Sequence, residues 1–279
     1  MPEKSVPDKA LALVNSLVSA IRGLNYFLSE STLFWVSKRL HRPKVEGLVS
    51  IPIATYDRID TLVHRTLPAL FAQTYSKLEI IVVTDGTPKA HLRPLAGVID
   101  PRLKVVSLKR RSRYPKDPKS LWMVAGYRPR NIGARKVQGE FILWMSDDDE
   151  LLPDAVESLV RYLQENIDID AAGGSYERPG IELKANTGPK RSPEPGYDYG
   201  AMPGWLWRSY LKVFKWNGQS YKKSWDRPSD FDLARRMKRA GVRFGAIDQL
   251  VALQHPSPGT GLFGSQAAIH EELERRDRK

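Results

Sequence analysis

Cysteine is missing from all 279 positions. Disulfides and thiolate metal sites are therefore excluded, and the chain suits a reducing compartment. No apolar run reaches the ~18 residues that would suggest a bilayer-spanning helix. The apolar stretch near the start is preceded by Glu3 and Asp8 and followed by no small-residue cleavage site, so it does not read as a secretory signal. There is no Walker loop, no Gly-x-Gly-x-x-Gly fingerprint, no His-Glu-x-x-His and no nucleophile elbow. Kinase, dehydrogenase, metalloprotease and serine-hydrolase readings thus lose the motifs that usually carry them. Acid is scarce relative to base, with 32 Asp and Glu against 44 Lys and Arg, a formal charge of +12. Such an excess favours anionic partners: nucleic acid, an anionic membrane face or phosphorylated small molecules. It also fits a merely solvated basic surface.

What is present reads as globular, since 41% of residues are hydrophobic and 27% charged. Residues 1–46 form an appendage. Ala10, Leu13, Leu17, Ala20, Leu24 and Phe27, with a second row at Leu11, Val14, Val18, Ile21 and Leu28, predict a helix with a broad apolar face. Leu33-Phe34-Trp35-Val36 follows, and then Lys38, Arg39, Arg42 and Lys44. Residues 8–44 can therefore lie in a membrane interface with their bases on anionic lipid. The same stripe equally suits packing on its own domain or on a second subunit.

From residue 47 the texture changes. Near-continuous apolar runs at Leu48–Ala54, Leu78–Val83, Leu103–Leu108 and Phe141–Met145 predict strands covered on both faces. Helical stretches separate them, one over 58–74, and further helices are expected near 204–214 and 229–240. Alternation of this kind implies a mainly parallel sheet, whose ligands sit beyond the carboxyl ends of the strands. The expected division is a first half over 47–150, a second half over 151–265 and a charged tail over 266–279. Residues 177–203, rich in Pro and Gly, read as irregular.

Three polar clusters fall at strand ends: Thr55-Tyr56-Asp57, Thr84-Asp85-Gly86 and Ser146-Asp147-Asp148-Asp149. Three adjacent carboxylates repel one another, and a hard divalent cation such as Mg or Mn relieves that repulsion. The triplet also suits an acidic cap on a helix beginning near Pro153 and Asp154. Arg128, Arg130 and the loop Lys109-Arg110-Arg111-Ser112-Arg113 suit a diphosphate clamp, or a solvated charge run.

The order Val49-Ser50-Ile51-Pro52-Ile53-Ala54-Thr55-Tyr56-Asp57-Arg58, Glu79 to Thr87, Arg130-Asn131-Ile132-Gly133-Ala134-Arg135, Gly139 to Pro153 and Ser229-Asp230-Phe231-Asp232-Leu233 resembles the family 2 glycosyltransferases of the GT-A fold, over residues 47–255. The resemblance implies an α/β fold with a mixed, mostly parallel sheet between helices. It implies metal-dependent, inverting transfer of a sugar from a nucleoside-diphosphate sugar, most simply a UDP-sugar, to an acceptor hydroxyl. Thr55, Tyr56 and Asp57 would line the nucleobase pocket, and Asp85 would accept a hydrogen bond from the base. Arg130 and Asn131 would bind the nucleotide, and Asp147 would touch the ribose or the metal shell. Asp148 and Asp149, with His255, would hold Mn2+ or Mg2+. Asp230 would be the general base, and Trp205, Trp207 and Tyr210 would build the acceptor pocket. Two departures stand out: the acidic motif is shifted by one, with Ser146 where the family has its first Asp, and Ser229-Asp230 replaces Glu-Asp.

Two rival readings use the same features. A nucleotidyltransferase would carry a Gly-rich basic loop after the first strand, where this chain has Tyr56-Asp57-Arg58-Ile59-Asp60. A basic nucleic-acid- or membrane-binding module with a decayed site would not need the acidic triplet and Asp230. Glycan, lipid-linked glycan and nucleic acid all remain open as acceptors, and the expected location is cytoplasmic, peripheral on the inner face of a membrane.

Overall fold

The computed structural model describes residues 29–177, 204–223 and 228–255. The rows predicted over 10–28, most of the Pro- and Gly-rich stretch and the charged tail lie outside them. Helix α1 occupies 29–40 and precedes β1 (Val45–Thr55). The predicted helix after β1 is a continuous run of Ile59–Thr61, a π-helical turn Leu62–Thr66 and Leu67–Phe71, together α2. Then come β2 (Leu78–Thr84), a 3-10 turn (Lys89–Leu92), α3 (Arg93–Ala96), β3 (Leu103–Ser107), α4 (Pro118–Val124), α5 (Tyr127–Lys136) and β4 (Gly139–Trp144). The second half holds β5 (Glu150–Leu151), α6 (Ala155–Glu165), β6 (Ala171–Glu177), β7 (Trp205–Arg208), 3-10 turns at Ser209–Val213 and Ser220–Lys222, α7 (Ser229–Arg239) and β8 (Phe244–Leu253).

One eight-stranded sheet runs through both halves in the order β3-β2-β1-β4-β7-β6-β8-β5. The first four strands are parallel, as the apolar runs predict. Beyond β4 the sheet is mixed: β7 is antiparallel to β4 and β6, β8 is parallel to β6, and β5 is antiparallel to β8. All seven residues of β2 are buried, because helices cover both faces. On one face Ile51, Ile53, Val82 and Leu143 meet Leu62 and Leu67 of α2 and Leu159 of α6. On the other, Val83, Ile142 and Trp144 meet Ala134 of α5 and Leu233 and Met237 of α7.

The helix expected over 204–214 is a correction. Trp205-Leu206-Trp207-Arg208 is a strand, and a 3-10 turn follows it. Tertiary pairing decided this. Leu206 points to one core and Trp205 and Trp207 to the other, and both neighbouring strands supply ladder partners. The helix expected near 229–240 forms. In its first turn Asp232 pairs with Lys223 and Arg236.

The described part of the appendage is docked, not extended. Phe34 of α1 is fully buried, Ser37 Oγ donates to the Tyr210 carbonyl at 3.0 Å, and Lys38 pairs with Asp170 at 2.5 Å. Glu30 pairs with Arg236. The opposite side of the helix leaves Leu33, Trp35, Val36 and Leu40 about half exposed or more, at 51%, 57%, 49% and 70%. Among the described residues no helix is long and apolar enough to cross a membrane.

Candidate active site

Strand register builds the site. β1 and β4 are parallel neighbours with Ser50 opposite Ile142 and Ile53 bridged to Met145. Continuing that register sets Asp147 level with Thr55. The end of β1 and the acidic triplet therefore share one edge, with β2 and Asp85 alongside, since Thr55 pairs with Thr84.

Asp147, Asp148 and Asp149 are all buried, at 2%, 4% and 2% exposure. Burial pushes Asp147 up to about 6, although the Arg58 guanidinium opposes it. Burial, and then the Asp148 charge, raise Asp149 well above the usual carboxylate range. The segment is pinned from behind by its backbone. Arg65 Nη1 donates to the Asp148 carbonyl at 3.2 Å and Thr66 Oγ1 to the Asp149 carbonyl at 2.9 Å. The His255 N–H donates to Asp149 Oδ1 at 3.0 Å. His255, expected as a metal ligand, sets its ring Nε2 2.6 Å from Glu150 Oε1; it reaches the triplet through its backbone.

Arg58, to which the sequence had given no task, spans the triplet. Its Nη2 lies 2.8 Å from Asp147 Oδ1 and its Nη1 pairs with Asp148 Oδ2. Among the described residues no group of three His, Asp or Glu side chains converges as a ready-made cage for a metal. The donor set nevertheless fits Mn2+ or Mg2+. Buried hard oxygens in excess of nearby positive charge are what such ions take, and these ions commonly complete their shell with substrate phosphate and water.

At the end of β1, Thr55 is buried and its carbonyl accepts the Asp85 N–H at 2.8 Å. The Tyr56 ring is covered by the Arg111 guanidinium, 3.7 Å from its centroid, and Asp57 is exposed. Asp85 was expected to face a base. Its Oδ1 instead accepts from Ser112 N and Oγ at 3.0 and 2.5 Å, and its Oδ2 from the Tyr114 hydroxyl at 2.6 Å. It thus fastens the basic loop over Tyr56, and burial, with Asp85 beside it, raises the Tyr114 hydroxyl far above its ordinary value. Gly86, at φ +74°, is needed here: a Cβ would lie 2.2 Å from the Arg111 nitrogen.

α5 brings in the Arg-Asn motif. Asn131 donates to the Trp216 carbonyl and accepts its N–H, both at 2.9 Å. Its amide therefore holds a neighbouring loop. Gly133 lets the helix close on β1, since a Cβ would meet that of Pro52 at 2.8 Å. Arg130 lies over the Trp216 ring, 4.7 Å from its centroid. Burial lowers its pKa, while the carboxylates of Asp230 and Asp147 act to raise it, so it stands in the field of both. Asp230 sits in the first turn of α7. It borders a small cavity with Trp205, Trp207, Leu233, Met237 and Phe244. The two tryptophans, 9% and 4% exposed, form the floor behind it and pack as core. Sequence reading missed Tyr114 and Arg58 and named Ser112 only as part of the basic loop; an Arg three residues past the end of β1 was the one hint of Arg58.

Residues 126–236 match the family model described as glycosyl transferase family 2. A glycosyltransferase of Haemophilus influenzae, described as uncharacterized, is 29% identical over 132 residues, 47% of this chain and 37% of that protein. The chain thus spans well under half the length of that relative. Among solved structures, S. aureus TarS 1–349 in complex with UDP-GlcNAc superposes with a TM-score of 0.59 at 17% identity, over 76% of this chain and 59% of that one. Mannosyltransferase PcManGT from Pyrobaculum calidifontis, in complex with GDP-Man and Mn2+, gives 0.55 at 16% identity, over 92% and 71%. At such identities the likeness establishes the fold, which is the GT-A architecture expected from the sequence.

Proposed function

We propose that this chain is a family 2 glycosyltransferase, in keeping with the family model matched over residues 126–236, and that it transfers a sugar from a nucleoside-diphosphate sugar to an acceptor hydroxyl, with inversion. The observation that carries the reading is the shared strand edge, where Tyr56 under Arg111 and the buried Asp147–Asp149 segment stand together, with Arg130 of α5 in the field of Asp147 and Asp230. A UDP-sugar is the donor favoured, in keeping with the UDP-GlcNAc held by TarS; the GDP-Man of PcManGT marks the alternative.

Tyr56 offers its ring to the base, and Thr55 and Asp57 flank it. Asp85 contributes by fastening Ser112 and Tyr114, which keeps Arg111 over that ring. Asp148 and Asp149 would hold Mn2+ or Mg2+, with Asp147 toward the ribose. Such an ion, when bound, neutralises charge on the departing diphosphate. Arg130 adds fixed positive charge on the same side. The Asp230 carboxylate takes the proton of the acceptor hydroxyl as its oxygen bonds to the anomeric carbon and the bond to the diphosphate breaks. Trp205 and Trp207 support the acceptor side beneath Asp230. The outer face of α1 rests on an anionic membrane. Leu33, Trp35, Val36 and Leu40 enter the interface, and Arg39, Arg42 and Lys44 meet headgroups. That location suits a lipid-linked acceptor.

The test is donor binding. UDP, GDP, CDP and dTDP are titrated with and without Mn2+ against the wild type and Asp148→Ala. One nucleotide should bind in a metal-dependent manner and be lost in the variant. No binding of any nucleotide under either condition would overturn the reading.

A further inference from the structure

We infer that Arg58 is the resident counter-ion of the donor site, and that it competes with the divalent cation for Asp147 and Asp148. This deepens the transferase reading and rests on it. The guanidinium reaches Asp147 Oδ1 at 2.8 Å and Asp148 Oδ2 with its other terminal nitrogen. It stands at the turn from β1 into α2, yet its side chain does not cap that helix; it is committed across the sheet edge. Burial weighs against its charge, but Asp147, Asp148, Asp57 and Asp149 together hold it firmly protonated. Arg58 therefore makes a buried carboxylate run tolerable while no other cation is there.

A divalent ion and a guanidinium cannot both be close to the same carboxylate oxygens without strong mutual repulsion. Taking a metal at Asp148 thus requires Arg58 to let go. A fork of donors suited to carboxylate is equally suited to phosphate, so the donor's diphosphate offers the released guanidinium a second anion. Cation alone binds weakly, because Arg58 loses its partners. Cation and nucleotide together bind well, because it gains new ones. The reciprocity is that of any two coupled ligands. Arg58 is in this sense a positioning residue that ties metal uptake to donor loading.

The experiment measures Mn2+ binding to the full chain without nucleotide, from the loss of the free-ion electron paramagnetic resonance signal. Wild type, Arg58→Gln and Arg58→Lys are compared. Arg58→Gln should bind Mn2+ at least about tenfold more tightly than wild type. Its melting temperature should fall in a chelator and recover with Mn2+. Arg58→Lys keeps the charge but not the fork, and should show a smaller gain of about threefold. If Arg58→Gln does not fold, the lysine variant decides. Addition of UDP should tighten Mn2+ on wild type more than on Arg58→Gln. Unchanged or weaker Mn2+ affinity in folded variants, or no Mn2+ binding by any form, overturns the inference. If wild type takes nucleotide with Mn2+ while the variants gain nothing, the inference falls and the donor reading stands. If the variants gain Mn2+ affinity but no nucleotide binds, the reverse holds.

Discussion

Single residues at this site do jobs that their types allow but their neighbours choose. Asp230 and Asp232 are two positions apart on one helix turn, yet Asp232 is 2% exposed and bound to Lys223 and Arg236, whereas Asp230 borders the cavity. On the proposed reading it is Asp230 that meets the acceptor. Asp230→Asn should therefore lower kcat by about 10²- to 10⁴-fold. Nucleotide affinity should stay within a few-fold of wild type, and steady-state kinetics paired with nucleotide titration read the two separately. A rate unchanged by the substitution would remove Asp230 from the reaction. Asn131 shows the converse case: it belongs to the family-like motif, but both ends of its amide are spent on Trp216. A motif marks a position and leaves open whether the side chain meets ligand or protein.

Between elements, the parallel strands are stitched by one buried carboxylate. Glu79 of β2 accepts from Ser50 of β1, from Lys104 of β3 at 2.8 Å and from the Gln138 N–H just before β4 at 2.8 Å. Burial acts to raise its pKa, but those hydrogen bonds more than offset it, so the carboxyl is held below the usual range. A depressed folded value means that its stabilisation is complete above the unfolded pKa and disappears as pH falls through the lower, folded one. Glu79→Gln should cost roughly 1–3 kcal/mol at neutral pH. The gap between the two melting curves should close once acid has protonated the wild-type carboxyl. Melting both proteins at neutral pH and across the acid range checks this; a gap that stays constant would deny Glu79 its charged role.

On the scale of the whole molecule, the positive charge is not spread evenly. Lys44, Lys212, Lys215 and Arg135 stand near one another. Burial lowers the pKa of Lys212 and Lys215, and like charge from these neighbours lowers it further. This cluster lies on the side to which α1 docks, since Ser37 bonds to Tyr210 and His41 to Ser209. The wild type should co-sediment with vesicles containing anionic lipid and not with phosphatidylcholine alone. Binding should weaken as salt rises from about 0.1 M to about 1 M, where the screening length shrinks from about 10 to about 3 Å. Trp35→Ser with Leu40→Ser should abolish it with little change in melting temperature, because both side chains are exposed. Retained binding in that variant, or a salt-insensitive dimer in place of lipid binding, would assign the face another occupant.

Sequence alone determined the parallel half of the sheet, because strands buried on both faces, as β1, β2 and β4 are in their central residues, must be nearly continuous apolar runs; β3 departs from that expectation, since it lies at the sheet edge and is not buried. It determined too that polar clusters would gather at the carboxyl ends of β1, β2 and β4, since parallel strands all finish on one edge. The identity of β7 was decided only in the tertiary structure, where β4 and β6 supply ladder partners for four residues whose local pattern also admits a helix. The pairing of Arg58 with Asp148, 90 positions away, was likewise beyond local reading. So was the capture of Asp85 by Ser112 and Tyr114. Charges and hydroxyls choose partners by distance in space, and that distance exists only once the sheet has set its register.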